Sequence, residues 1–467
     1  MRNGYRGPPT GSLMGCRALL LATWGNPAQW NTARYELGGE SDESFTSLGI
    51  LCRHLSKSGC EARALVLVLE SLLDAKLDKE PDGKRPGYAY LYERREELAR
   101  LRGLLLEGRY GEAVEGLRSV VEGLAKSAGA GCSGGVAVEV LPAIGSFGGG
   151  VRFAGDVRNF HSFALLAAAR EVLRGGPAPS KIVVDLTHGV NFMPTYAYEV
   201  AREAASLSLL AGSRSVEMEV YNSDPYPPGS EKPSLSLNLV RREEVREIRL
   251  PSEAGSLVEW RGGRPPSRFE EFRARASRFM GEKVYPVVAS LYYPLPLALV
   301  YLASAQSWEE YLGVVEEARS LWASYTRVSG GTVERPVYVN PQAVYAALLA
   351  AAACKAVREE GLSNDVESLE KLNERVYRRV SEVHYALIAQ ELSQVEAGRF
   401  EEAAYPRKPD KRIMIAHAGL QKGFVRVERG EKKLLLYVGA DGKPLKPEDP
   451  SAAESVRSLL AKAGLKH

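Results

Sequence analysis

The run Lys181-Ile-Val-Val-Asp-Leu-Thr-His-Gly-Val-Asn-Phe-Met-Pro194 constrains this chain more than any other stretch. Apolar, β-branched residues lead into Asp185, a tight Thr187-His188-Gly189 turn follows, and Pro194 opens a helical pattern over residues 195–210. The order is strand, turn, helix, and the strand is apolar enough to be buried. That order sets the turn at the carboxyl end of the strand. Backbone N–H groups and the positive end of a helix dipole gather there, which suits phosphate.

The rest of the first half repeats the alternation. Strands are expected over residues 16–23, 32–37, 62–70, 136–141 and 216–222, with 235–240 returning antiparallel. Helices are expected over 45–58, 91–106, 110–127 and 159–174, and a glycine-rich loop over 145–150. This is a doubly wound α/β pattern with a mostly parallel sheet. A stretch rich in Gly, Pro and Arg, 253–267, reads as a linker, and beyond it the pattern is helical. A last helix over 412–422, a β-hairpin from 424–428 and 433–438, and a closing helix over 452–463 complete the chain. The expected units are 1–240, a linker at 241–282, and a helical unit at 283–467.

A length of 467 residues calls for more than one core. Hydrophobic content of 45% and charged content of 25% match a water-soluble fold, and a net charge of +3 does not by itself demand a nucleic-acid partner. The five cysteines, at 16, 52, 60, 132 and 354, form no C-x-x-C pair. An odd, scattered set argues against a disulfide framework or zinc site and for the cytoplasm. The apolar stretch 285–305 is broken by Pro286, Pro294 and Pro296, so a buried helix is expected there rather than a membrane span.

Three loops should meet at the carboxyl edge of the sheet. They are Trp24-Gly25-Asn26-Pro27 with Trp30 and Arg34 beyond, Gly145-Ser146-Phe147-Gly148, and Thr187-His188-Gly189-Val190-Asn191. Glycines permit close backbone approach to phosphate. Trp24 or Phe147 could stack on a base. Thr187, Asn26, Asn191 and His188 offer hydrogen bonds, and Arg34 or Arg158 charge. Each has a plain structural alternative: the tryptophans as core, His188 as a turn former, Arg34 as a solvated surface group. No G-x-G-x-x-G occurs, which counts against a nicotinamide-dependent enzyme.

Near the other end lies Arg412-Ile-Met-Ile-Ala-His417-Ala-Gly419. Residues 407–433 hold nine basic positions against three acidic, a local patch suited to a phosphate backbone. A histidine trades protons near neutral pH and an arginine stabilises charge growing on phosphorus, so the pair could cleave RNA without a metal. Five residues apart on a helix, the two point about 140° away from each other. Two copies facing across a two-fold axis could instead surround one phosphate, which predicts a composite site in a homodimer or higher homo-oligomer. His384 and His467 have no visible partners and read as structural.

Trp24-Gly25-Asn26-Pro27, Asp185-Leu-Thr-His-Gly-Val-Asn191 and Arg412…His417, in this order, resemble the CRISPR-associated CARF–HEPN ribonucleases of type III systems. The resemblance implies an amino-terminal Rossmann-like domain that binds cyclic oligoadenylate, usually cyclic tetra-adenylate, as an allosteric activator. It implies a helical carboxy-terminal domain that cuts single-stranded RNA without a metal. Trp24, Gly25, Asn26, Thr187, His188, Gly189 and Asn191 would line the ring site, and Arg412 and His417 would be catalytic. The family usually carries a polar residue directly after the catalytic arginine. This chain has Ile413, and Lys411 or Gln421 could take over that role. The competing reading is a non-catalytic nucleotide sensor that binds nucleic acid.

Overall fold

A computed structural model describes residues 15–252, 255–400, 408–439 and 441–465. His467 and Arg407 lie outside the described residues. The first half is built from β1 (Cys16–Trp24), β2 (Ala33–Leu37), β3 (Glu40–Ser44), α1 (Leu48–Lys57), β4 (Cys60–Leu69), α2 (Pro86–Glu93), α3 (Arg95–Leu106), α4 (Tyr110–Ala128) and β5 (Val136–Leu141). There follow β6 (Gly145–Ser146), β7 (Arg152–Phe153), α5 (Arg158–Leu173), β8 (Lys181–Asp185), α6 (Met193–Leu210), β9 (Val216–Ser223) and β10 (Ser234–Val245).

Eight of these strands form one sheet, in the order β3-β2-β10-β9-β8-β1-β4-β5. The five strands from β9 to β5 run parallel. β10 returns antiparallel to β9 and lies parallel to β2. Strands β1, β4 and β8 are apolar and almost wholly buried, as parallel strands covered on both faces must be. The chain leaves β1 toward β4 and β5, then crosses back through α5 to β8 on the other side of β1. That reversal opens a crevice at the carboxyl ends of β1 and β8, the place where open α/β sheets hold ligands.

The second half runs β11 (Val258–Trp260), α7 (Ser267–Phe279), α8 (Tyr285–Tyr292), α9 (Pro296–Ser304), α10 (Trp308–Ser324), β12 (Arg327–Ser329), β13 (Thr332–Glu334), β14 (Val337–Val339) and α11 (Pro341–Glu359). It ends with α12 (Val366–Leu372), α13 (Arg378–Val380), α14 (Glu382–Glu396), α15 (Lys411–Ala416), β15 (Val425–Arg429), β16 (Lys433–Tyr437) and α16 (Pro450–Lys462). Helix α11 is alanine-rich and buried from Ala343 to Val357. Small side chains let α5, α6, α8, α9 and α10 approach it from several sides, so it is the pillar joining the two halves.

Several expectations need correction. Four cysteines pair, Cys16 with Cys60 and Cys52 with Cys132, which leaves Cys354 as a buried thiol. Cys16 and Cys60 are register partners on adjacent strands β1 and β4, a proximity that linear spacing cannot show. The cysteine argument for the cytoplasm therefore falls. The 91–106 helix is two helices broken at Arg94. The stretch 241–282 carries the end of β10, β11 and α7, with Phe269 fully buried, so it is packed structure and not a free tether. The loop at 145–150 begins with β6 and leads into β7, and the two join β12 and β13 in a sheet spanning both halves. The apolar stretch 285–305 splits into α8 and α9, and among the described residues no helix is long and apolar enough to cross a membrane.

Candidate functional site

The crevice predicted at the sheet edge is a cleft of about 490 Å³. Its walls come from three strand ends: Gln29, Trp30, Asn31 and Tyr35 near β1 and β2, Thr187 to Val190 after β8, and Asn222 to Tyr226 at the end of β9 and just beyond it. Two glycines make the loops fit. Gly25 donates its backbone N–H to the His188 carbonyl at 2.9 Å, and a Cβ there would meet Val190 Cγ1 at 2.8 Å. A Cβ on Gly189 would meet Thr23 Oγ1 at 2.5 Å. Asn191 sits at φ +51°, in the left-handed region that asparagine tolerates better than most residues.

Asp185, fully buried beneath the turn, organises it. Ser47 Oγ donates to its carboxylate at 2.5 Å and the Thr187 N–H at 3.0 Å. Burial pushes its carboxyl above the ordinary carboxylate range. His188 stacks on Trp30 with ring centroids 4.1 Å apart, and the Tyr35 hydroxyl lies 3.2 Å from its Nε2. Desolvation pushes the imidazole down to about 3, so at neutral pH it is an uncharged hydrogen-bonding group. Burial raises the Tyr35 phenol likewise.

Among the described residues, no Lys or Arg lines the cleft. What it offers an anion is backbone: among the described residues, the N–H groups of His188, Val190 and Asn191 have no protein acceptor. The Thr187 hydroxyl is buried, with no hydrogen-bond partner among the described residues. Opposite stands Asp224, whose carboxylate accepts from Asn238 Nδ2 at 2.8 Å and from the Ser236 N–H at 3.0 Å. Those hydrogen bonds hold it below the usual carboxylate range. Free N–H groups on one wall, a carboxylate on the other and half-buried rings in the lining suit phosphate, sugar hydroxyl or base amine, and aromatic base in turn.

The site residues expected from sequence divide accordingly. Thr187, His188 and Gly189 line the cleft, Gly25 and Asn191 shape its loops, and Asn26 caps the Pro27–Gln29 turn through a 3.0 Å bond to the Ala28 N–H. Trp24 is a correction. It is fully buried, edge-on to Trp30 and Phe45, so it cannot stack on a ligand and serves as the floor; Trp30, half-buried and stacked on His188, is the tryptophan that lines the cleft. Ser146 and Phe147 are also corrections. Phe147 packs on Phe153, and Asp74 and Arg102 bind the loop at Val151 and Gly149, away from the cleft. Arg34 pairs loosely with Glu36 at 3.8 Å outside the lining. Arg158 is held by Asp156 and by the ring of Tyr338. The wall from Asn222 to Tyr226 went unassigned in the sequence. Its Asp-Pro-Tyr-Pro-Pro-Gly turn reads as a break in pattern, and only the pairing of β9 with β8 brings it to the site.

At the other end, α15 is a six-residue helix capped by Asp410, whose Oδ1 accepts from the Arg412 and Ile413 N–H groups. It stops at Ala416, not at 422, because Ala418 at φ +49° and Gly419 at φ +74° turn the backbone left-handed. A Cβ on Gly419 would meet Leu295 at 3.0 Å, and the Tyr437 hydroxyl donates to the Gly419 carbonyl at 3.3 Å. Packing thus pins the turn that carries His417. Arg412 is exposed, and among the described residues its guanidinium has no partner. His417 is 45% exposed, with Nδ1 at 3.2 Å from Glu391 Oε1 of α14. Ile413 is 44% exposed. Lys411 donates to the Tyr293 hydroxyl at 3.0 Å, and Gln421 is buried with its Oε1 unpartnered. The structure therefore leaves both expected catalytic side chains open to solvent and adds a carboxylate that the linear motif did not reveal.

Family models for the CARF domain and the HEPN domain of CRISPR system endoribonuclease Csx1 match residues 19–225 and 355–440. The chain belongs to the CARF–HEPN family. The first match holds the β1 and β8 loops with the cleft, and the second holds Arg412, His417 and Glu391. CRISPR system endoribonuclease Csx1 of Methanocaldococcus jannaschii is 26% identical over 227 residues, a stretch that covers 48% of this chain and 40% of that protein. The similarity thus spans less than half the length of that relative. The CARF match covers the α/β half from β1 to the end of β9, and the HEPN match covers the end of α11, α12 to α15 and the β15–β16 pair.

Proposed function

We propose that this chain is a cyclic oligoadenylate-activated endoribonuclease that cuts single-stranded RNA without a metal, in the antiviral defence of a type III CRISPR system. The observation that carries the reading is the pairing of two open sites in one chain. One is a cleft of free N–H groups, rings and a carboxylate; the other holds an exposed Arg412, whose guanidinium has no partner among the described residues, and a half-buried His417 on the same short segment. RNA brings its own nucleophile. His417 takes the 2′-hydroxyl proton, the 2′-oxygen bonds to phosphorus, and the bond from phosphorus to the 5′-oxygen breaks, that oxygen taking a proton from water. Arg412 stabilises the charge that builds on the phosphoryl oxygens.

A cleft of about 490 Å³ is the size that encloses a drug-like ligand. A ring of four nucleotides is larger, so its full enclosure takes a second cleft. That supports a homodimer with the ring on its two-fold axis and Arg412 and His417 of both copies around one RNA phosphate. Cyclic tetra-adenylate is the activator that fits this arrangement.

The test is cleavage of an unstructured RNA with and without cyclic tetra-adenylate, in EDTA. Cutting is expected with the ring alone, and His417→Ala should abolish it with ring binding intact. Equal, negligible cutting in every condition with binding of both ligands would favour the non-catalytic sensor, for which exposed Ile413 beside Arg412 is the motive.

A further inference from the structure

We infer that Glu391 is the positioning residue of the nuclease site: it holds His417 in the tautomer and orientation that leave Nε2 free to take the proton. This deepens the proposed function and rests on it. The geometry is specific. A carboxylate accepts and does not donate, so the 3.2 Å contact between Glu391 Oε1 and His417 Nδ1 places the ring hydrogen on Nδ1. The lone pair of Nε2 then has no partner among the described residues.

Both partners are fixed from behind. Glu391 is only 12% exposed, and it stands on α14 beside Ile388, Leu392 and Val395, the three buried residues that seat this helix. Ser381 caps the same helix, its Oγ accepting from the Val383 N–H at 3.2 Å. His417 follows the last residue of α15, where the left-handed Ala418 and Gly419 and the Tyr437 hydroxyl fix the backbone. Among the described residues His417 is the partner Glu391 has, so the carboxylate serves no competing ion pair. A flexible surface pair would instead join two long exposed side chains, as Lys371 and Glu367 do at 60% and 63% exposure. An imidazole with one nitrogen held by a largely shielded acceptor and the other free is how a histidine is kept as a base of defined direction.

The experiment compares the full chain with Glu391→Ala, Glu391→Gln and Glu391→Asp. Histidine rings are labelled with ¹⁵N, the six histidines are resolved, and the His417 signals are identified by their loss in His417→Ala. In the parent protein His417 should show the Nδ1–H tautomer at neutral pH. Glu391→Ala should shift it toward Nε2–H and lower kcat roughly 10- to 100-fold, a loss of the size seen when the group orienting a metal-bound histidine is removed. KM for RNA should stay within about twofold because the arginine contact to phosphate is untouched. Glu391→Gln keeps an acceptor and the side-chain volume, so it should fold and retain part of both signatures; Glu391→Asp should rescue less. An unchanged tautomer in Glu391→Ala, or a loss confined to KM, would overturn the assignment. The tautomer is read without RNA, so it stands or falls separately from the nuclease reading.

Discussion

At the scale of single residues, two glycines and one histidine decide whether the cleft exists. Gly189 has no room for a methyl group against Thr23, nor Gly25 against Val190. Gly189→Ala should destabilise the CARF half by about 1–3 kcal/mol, as overpacking does. It should also weaken ring binding more than tenfold by calorimetry; unchanged binding would mean that the turn is not part of the site. His188 gives a pH signature. Its folded pKa, about 3, lies below the free value of 6.5. The unfolded chain therefore binds more protons between those limits. The stability this group contributes is complete above pH 6.5 and is lost as pH falls toward 3. Denaturant titrations of the parent and of His188→Gln should differ in slope over that window, the parent falling more steeply on the acid side. Equal slopes would place the acid sensitivity elsewhere. The sequence made Gly25, Thr187, His188 and Gly189 legible because turn chemistry is local. It misplaced Trp24 because a side chain's burial depends on neighbours such as Phe45 that only the fold supplies.

At the scale of elements, the central parallel strands were readable almost to the residue: β5 and β8 stand where alternation and apolar runs put them. Short elements were not. α15 owes its end to two left-handed residues, and β6 with β7 owe their pairing to β13 from the other half of the chain. Helix α6 begins at the cleft loop, and Arg379 of α13 donates to its Leu209 carbonyl at 3.0 Å. α13 leads directly into α14 and Glu391. A ring that moves the β8 loop therefore has a packed route to His417. On the proposed function, Arg379→Ala should bind the ring normally yet show a several-fold smaller activation, measured as the ratio of cleavage rates with and without it. An unchanged ratio would exclude this route. The disulfides belong to the same scale. They close chain separations of 44 and 80 residues, and a crosslink of that kind contributes roughly 2–4 kcal/mol. Reduction should lower the melting temperature by several degrees, and intact-mass measurement after alkylation without reductant should show one modified cysteine.

At the scale of the whole molecule, the halves share one core. Arg335, wholly buried, pairs with Glu70 of the CARF half, donates to the Ala143 and Ala154 carbonyls at 3.1 Å, and is surrounded by Tyr110, Phe153 and Trp322. Tyr110 donates to the same Glu70. Desolvation pushes the Glu70 carboxyl upward even so. Arg335→Met should cost about 3–5 kcal/mol, the penalty for leaving a buried charge uncompensated. Glu70→Gln combined with it should recover part of that loss. Such a junction transmits displacement instead of absorbing it, which is what a ligand-controlled nuclease needs.

The central claim is that occupation of the cleft controls chemistry at Arg412 and His417. Its most direct test is the RNA cleavage rate in EDTA as cyclic tetra-adenylate is titrated, for the parent chain and for Gly189→Val, whose larger side chain closes the β8 turn. The account predicts a saturating rise in the parent and a flat response in the variant. A parent rate that ignores the ring, or a variant that answers it as the parent does, would contradict the account.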